Sequence, residues 1–338
     1  MDDSRGEAAR PVGKVVAAKM ETPESILRRL EFKVVRRLDG LLFGDYTGMF
    51  YGPSLDLAEV REYQPGDEVR RIDWNVTARM HRLFVRQYLE ERELTAWMLV
   101  DLSPSMVFGT RRQLKRESAA EFAGVAAYIV ARHGDKVGLI GFPGREVYVP
   151  PRGGRVHVLR ILHMLQQAPP RPGGGGLAAY QQASSTSAAH KASAPDGTGL
   201  ADGLRQAARA LRRRCLVFVL SDFQAADGWQ QSLQELARRH DVIAVWISDP
   251  AEQELPDVGG LFVRDPESGQ QLWVDTSDAR LRETYRALAT RHRAAVAAAL
   301  HTAAVDALEL STAEPLLSPL LKFITYRRRR SRWSLAGR

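Results

Sequence analysis

The chain has a single cysteine, Cys215. That scarcity excludes an intrachain disulfide framework and any zinc site built on several thiolates. No run approaches the ~20 apolar residues of a helical membrane span. The first twenty residues, MDDSRGEAARPVGKVVAAKM, start acidic and contain no apolar core of signal-peptide length. The expected location is therefore the cytoplasm. A phosphate-binding loop is missing as well, because Gly173 to Gly176 is not followed by Lys-Ser or Lys-Thr. What is present is ordinary globular material. The 338 residues are 44% hydrophobic and 26% charged, which excludes global disorder and suffices for one large domain with an extra module. Lys and Arg total 48 against 40 Asp and Glu, a net charge of +8. The excess is spread along the chain except at YRRRRSRW (326–333), whose Arg327–Arg330 run reads foremost as a solvated helix end.

Four parts follow from texture. Residues 1–22 are small, charged and aperiodic, as in a disordered arm. Residues 23–94 hold a helix starting at Pro23, with Thr22 as N-cap, then a small β-rich module punctuated by Gly44, Gly48, Gly52 and Gly66. Residues 95–312 change rhythm. Continuous apolar runs (96–100, 137–142, 215–220, 242–247) alternate with helical stripes at 111–132, 155–167, 200–213 and 229–239. A hairpin over 261–275, a helix over 278–300 and a strand near 307–310 complete the series. Such alternation predicts an α/β fold with a doubly wound, mainly parallel, Rossmann-like sheet. Residues 168–197 read as a flexible insertion, and 313–338 as a C-terminal helix with an Arg-rich tail. His292 falls on a stripe with Leu281, Tyr285, Leu288 and Val296, which predicts a core or boundary histidine.

In such a sheet, ligands bind beyond the carboxyl ends of the strands, where the strand order reverses. The first strand ends in Asp101-Leu102-Ser103-Pro104-Ser105 and the fourth in Ser221-Asp222-Phe223. Residues one, three and five of a tight loop can face one side, so a carboxylate and two hydroxyls converge. Thr198, in Gly197-Thr198-Gly199 before a helix, is placed to add a third hydroxyl. Oxygen donors with few charges suit a hard cation, Mg²⁺ first, then Mn²⁺ or Ca²⁺.

These residues resemble the metal-ion-dependent adhesion site of von Willebrand factor A-type domains, a doubly wound fold with the metal at its top. The resemblance covers about residues 95–310 and implies that Asp101, Ser103 and Ser105 match the first loop, Thr198 the second and Asp222 the third. Upstream, Arg61-Glu62-Tyr63-Gln64-Pro65-Gly66-Asp67-Glu68-Val69-Arg70-Arg71-Ile72-Asp73-Trp74 resembles the hallmark of the DUF58 family, which joins this motif to an A-type domain. The family resemblance implies work alongside a MoxR-type AAA+ ATPase. The motif's alternating charges read first as a structural network, with Asp73 capping a helical turn.

The expected function is therefore non-enzymatic. A Mg²⁺ held by these five residues would dock a partner's Asp or Glu, with the protein acting as adaptor or co-chaperone of a MoxR-type ATPase or its client. The resemblance implies that docking shifts the 111–132 helix. Two other classes compete. A Mg²⁺- or Mn²⁺-dependent hydrolase would need a general base, and the sequence offers no clear one. An RNA-binding protein using the Arg tail would lose affinity steeply with salt; nucleic acid is the less expected partner.

Overall fold

The computed structural model describes residues 22–31, 60–64, 69, 72–86, 94–142, 147–167, 199–225, 228–265 and 269–336. In chain order the elements are α1 (Pro23–Leu30), β1 (Val60–Glu62), α2 (Trp74–Met80), β2 (Phe84–Arg86), β3 (Thr95–Asp101), α3 (Lys115–Arg132), β4 (Lys136–Phe142), β5 (Tyr148–Arg152), α4 (Arg155–Gln167), α5 (Gly199–Ala210), β6 (Leu216–Ser221), α6 (Trp229–Arg239), β7 (Asp241–Ser248), β8 (Gly260–Arg264), β9 (Gln271–Asp275), α7 (Ala279–Thr302), β10 (Asp306–Ser311) and α8 (Leu317–Ala336). Short 3-10 turns lie at Pro104–Val107 and Pro250–Glu252.

Six strands form the central sheet in the order β10-β7-β6-β3-β4-β5. All neighbours are parallel except β4 and β5. The fold is thus the predicted doubly wound α/β sheet, flanked by helices on both faces. The continuous apolar runs explain it, because each central strand is buried on both sides. Along β3, Ala96, Met98 and Val100 enter one core with α1, α3, α4 and α8, while Trp97 and Leu99 enter the other with α5, α6 and the end of α7. Strand β6 repeats this: Phe218 meets Phe122 of α3 edge-on at 5.5 Å, while Val217 and Val219 face the opposite layer.

Helix termini follow local chemistry. Thr22 caps α1 by accepting from the Ser25 amide. Gly134, at φ 87°, ends α3 in the left-handed conformation, the amides of Gly134 and Asp135 bonding back to Ala131 and Val130. In α5, a Cβ on Gly203 would sit 2.5 Å from Phe142 Cγ, so only glycine lets this helix lie so close to β4.

Much of 23–94 lies outside the described residues, including Pro65–Gly66 and Asp67. The described part pairs β1 antiparallel with β2, with α2 between them in sequence. Asp73 is buried and accepts from the Val76 amide at 3.3 Å, the capping role expected of it. Glu62 pairs with Arg82 at the surface. The helix read with this module, α1, instead buries Leu27 and Leu30 in the core of the six-stranded sheet.

Two expectations fail. In α7, Leu281, Leu288 and His292 are exposed, Tyr285 is half-buried and full burial begins at Val296, so His292 is neither a core nor a boundary residue. Arg327 is not part of a solvated run. It is 6% exposed, reaching both Asp241 carboxylate oxygens at 3.1 and 3.2 Å and Asp306 at 2.9 Å. Among the described residues no helix is long and apolar enough to cross a membrane.

Candidate functional site

β3 and β6 are adjacent and parallel, so their carboxyl ends deliver Asp101 and Asp222 to one edge of the sheet. The chain leaves β3 through Leu102, whose amide bonds the Phe142 carbonyl, and enters the 3-10 turn at Pro104. Proline at its first position fixes φ and lets the loop turn back tightly. Asp101 Oδ1 accepts from the Ser103 amide at 2.9 Å, and Asp101 Oδ2 accepts from the Ser221 hydroxyl at 2.6 Å. The Ser103 and Ser105 hydroxyls face each other at 3.0 Å. The predicted D-x-S-x-S convergence is therefore present. Thr198 lies outside the described residues, which resume at Gly199, the first residue of α5.

Asp222 occupies a strained turn. The next residue, Phe223, is fully buried with φ 55°, a left-handed conformation that costs a non-glycine residue about 1 kcal/mol or more. Its ring packs against Trp229 at 5.0 Å, and its amide bonds the Ser221 hydroxyl. The turn is further fixed by the Gln224 amide on Asp222 Oδ1 and by the Trp246 indole N–H on the Asp222 carbonyl.

Sequence reasoning missed the charge that faces Asp222. Lys115, the first residue of α3, is 0% exposed. Its Nζ donates to Asp222 Oδ2 and to Glu252 Oε1, both at 2.5 Å. Glu252 also accepts from the Asp249 amide. Asp249, itself fully buried, accepts from the amide and hydroxyl of Thr110, the Thr312 hydroxyl and the Ala251 amide. The only local hint was the largely polar stretch 110–118 beside a metal-type loop, which any surface helix start could share.

The electrostatics separate the carboxylates. Burial, reinforced by the nearby negative charge of Asp222, pushes Asp101 up to about 6. Burial raises Glu252 as well, against the pull of Lys115. Burial alone would lower Lys115, but Asp222 and Glu252 outweigh it and hold the ammonium above its ordinary range. Asp249 goes the other way: burial would raise it, but its four donors keep it below the usual carboxylate range.

Among the described residues no three His, Cys, Asp or Glu side chains converge to hold a metal, so any ion here would rest on hydroxyls. The hydroxyl pair fits Mg²⁺. An octahedral ion with Mg–O bonds of about 2.1 Å places adjacent ligand oxygens about 3.0 Å apart, which matches the Ser103–Ser105 separation of 3.0 Å. Asp101 suits the same ion through its burial, its charge and its hold on the Ser103 amide. Asp222 does not act as a free carboxylate, because Lys115 already engages it.

Comparison with known proteins agrees with the sequence motif. Over 334 residues the chain is 34% identical to the proteins described as "Uncharacterized protein Rv1480" of Mycobacterium tuberculosis and "Uncharacterized protein Mb1516" of Mycobacterium bovis, covering 97% of this chain and 98% of each relative. Among solved structures, the conserved hypothetical protein BatB from Bacteroides thetaiotaomicron is similar at 14% identity and TM-score 0.40, over 70% of this chain and 99% of that one. The SpRpn10 VWA domain is similar at 13% identity and TM-score 0.30, over 68% of this chain and 94% of that one. The family model described as "Protein of unknown function DUF58" matches residues 59–295, and the chain belongs to that family.

Proposed function

We propose that this protein is a non-catalytic, metal-dependent protein-binding module that docks an acidic side chain of its partner at the carboxyl ends of β3 and β6. The observation that carries the reading is the Ser103–Ser105 hydroxyl pair, set at the spacing of adjacent Mg²⁺ ligands beside a buried Asp101. Ser103 and Ser105 would hold the ion directly, with Thr198 as the third hydroxyl. Asp101 positions Ser103 through its amide and supplies negative charge beside the hydroxyl pair. Asp222 supports the site from behind its ion pair with Lys115. Mg²⁺, when bound, supplies an electron-poor coordination position that attracts a carboxylate, since neutral hydroxyls leave most of its charge unmet; Mn²⁺ or Ca²⁺ would substitute.

The ligand loop runs from Ser103 to the start of α3, so a change at the loop reaches that helix through covalent chain and through the Lys115 N–H bond to the Phe108 carbonyl. The partner is a MoxR-type AAA+ ATPase or a client it handles, with this protein as adaptor or co-chaperone. The association that membership of this family implies supports this choice.

The test is capture of the cognate MoxR-type ATPase from a purified mixture. Binding is expected in Mg²⁺, to fall at least tenfold in EDTA, and to fall equally in Ser103→Ala/Ser105→Ala. Full-strength binding without metal overturns the proposal.

A further inference from the structure

We infer that Lys115 is a tethered cation of this site, competing with a divalent ion for the negative charge of Asp222 and so setting how tightly that ion is held. The inference rests on the metal-docking reading and deepens it.

A lysine with no exposed surface needs compensation, because an ammonium taken out of water loses its hydration. Lys115 has two carboxylates at 2.5 Å, and its Nζ lies 5.8 Å from the Phe108 ring centroid. Its position is specific. It begins the helix that follows the Ser103–Ser105 loop, and its backbone N–H is tied to Phe108. The ammonium therefore reaches the β6 end from the same segment that carries the proposed metal ligands. It selects between the two strand-end aspartates, pairing with Asp222 and leaving Asp101 to the Ser221 hydroxyl and to Ser103.

The charge count remains acidic: Asp222 and Glu252 face one ammonium, and Asp101 lies within reach of the charge of Asp222. That excess is what a divalent cation can satisfy. Yet an ion near Asp101 and an ammonium on Asp222 repel each other across a buried cluster, where screening is weak. Each weakens the other's hold. Glu252 offers Lys115 a retreat. Through the Asp249 amide it is anchored to the turn that also holds Thr110 and Thr312, so the ammonium can lean toward Glu252 without leaving the interior.

The experiment measures Mn²⁺ binding to the full chain by the loss of the free-ion paramagnetic resonance signal, with Mn²⁺-dependent melting temperature as a second readout. Wild type, Lys115→Met, Lys115→Arg and Lys115→Met/Glu252→Gln are compared. The double variant removes one charge of each sign and guards against a Lys115→Met protein that fails to fold. Removing the ammonium is expected to tighten Mn²⁺ binding at least tenfold, in both methionine variants, while Lys115→Arg stays within threefold of wild type. Equal affinity in wild type and the methionine variants overturns the inference and leaves metal docking standing. Binding confined to the methionine variants keeps the inference and overturns docking in the natural protein. Binding in none overturns both.

Discussion

Asp101 and Asp249 are both buried aspartates, yet their surroundings drive them apart. Asp101 is pushed up to about 6 by burial and by its carboxylate neighbour Asp222, against the pull of its hydrogen bonds from Ser221 and Ser103. Its ionised form at neutral pH is therefore a cost to the metal-free fold, in the sense that the folded state holds its proton more tightly than the unfolded chain. Such costs are typical of sites kept for binding rather than for stability. In Asp101→Asn the amide oxygen can still accept from Ser103 and the neutral group no longer opposes Asp222. With a chelator present at pH 7.5, this variant is expected to be more stable than wild type by roughly 1–2 kcal/mol, judged from about 1.4 kcal/mol per pKa unit less an imperfect bond to Ser221. Denaturant titration reads this directly. In Mg²⁺ the order should reverse, because only wild type gains from the ion. A variant less stable than wild type under chelation would show that Asp101 is a structural cap.

At the scale of elements, Asp249 joins three of them: the loop before α3 through Thr110, the turn after β7 through Ala251, and the end of β10 through Thr312. Its carboxyl lies below the ordinary aspartate value of 3.8, so its contribution to stability is complete above that pH and is lost as pH falls through the lower folded value. Asp249→Asn cannot satisfy two hydroxyls and two amides at once, and is expected to lose about 2–3 kcal/mol at pH 7. The gap should narrow below pH 4, which melting curves between pH 3 and 7 would follow; a gap independent of pH would assign the loss to packing. The sheet strands and α3, α4 and α6 were legible in the sequence because a run buried on both faces and a stripe buried on one are local patterns. Asp101, Ser103 and Ser105 were legible for the same reason, since one loop carries all three. Lys115 and Glu252 were not. They lie 137 positions apart and meet only because β6 and β7 carry Asp222 and the Pro250 turn to the start of α3. The first half of α7 misled in the other direction: its periodicity shows that a face exists, but not that anything covers it.

For the molecule as a whole, the question is what keeps the C-terminal helix on the sheet whose opposite end carries the candidate site. Leu320, Phe323 and Ile324 of α8 enter the same core as α3, so this helix is part of the domain. Arg327 completes the attachment at the amino ends of the strands. Its guanidinium spans Asp241, which opens β7, and Asp306, which opens β10, and all three groups are largely buried. Removing one member of such a cluster leaves uncompensated buried charge and costs about 3–5 kcal/mol. Arg327→Met should therefore lower the melting temperature by roughly 10 °C, given about 2–4 °C per kcal/mol for a domain of this size. Lysine cannot reproduce the planar fork that reaches both aspartates, so Arg327→Lys should recover less than half of that loss. Combining Arg327→Met with Asp241→Asn and Asp306→Asn removes the stranded charges and should restore most of it. A loss under 3 °C in Arg327→Met would mean that the apolar face of α8 suffices. The same variant separates stability from docking. Arg327 sits at the end of the sheet remote from Asp101, so below its melting temperature Arg327→Met should bind Mn²⁺ as wild type does, and a weakened affinity would reveal that α8 helps to set the geometry of the metal loop.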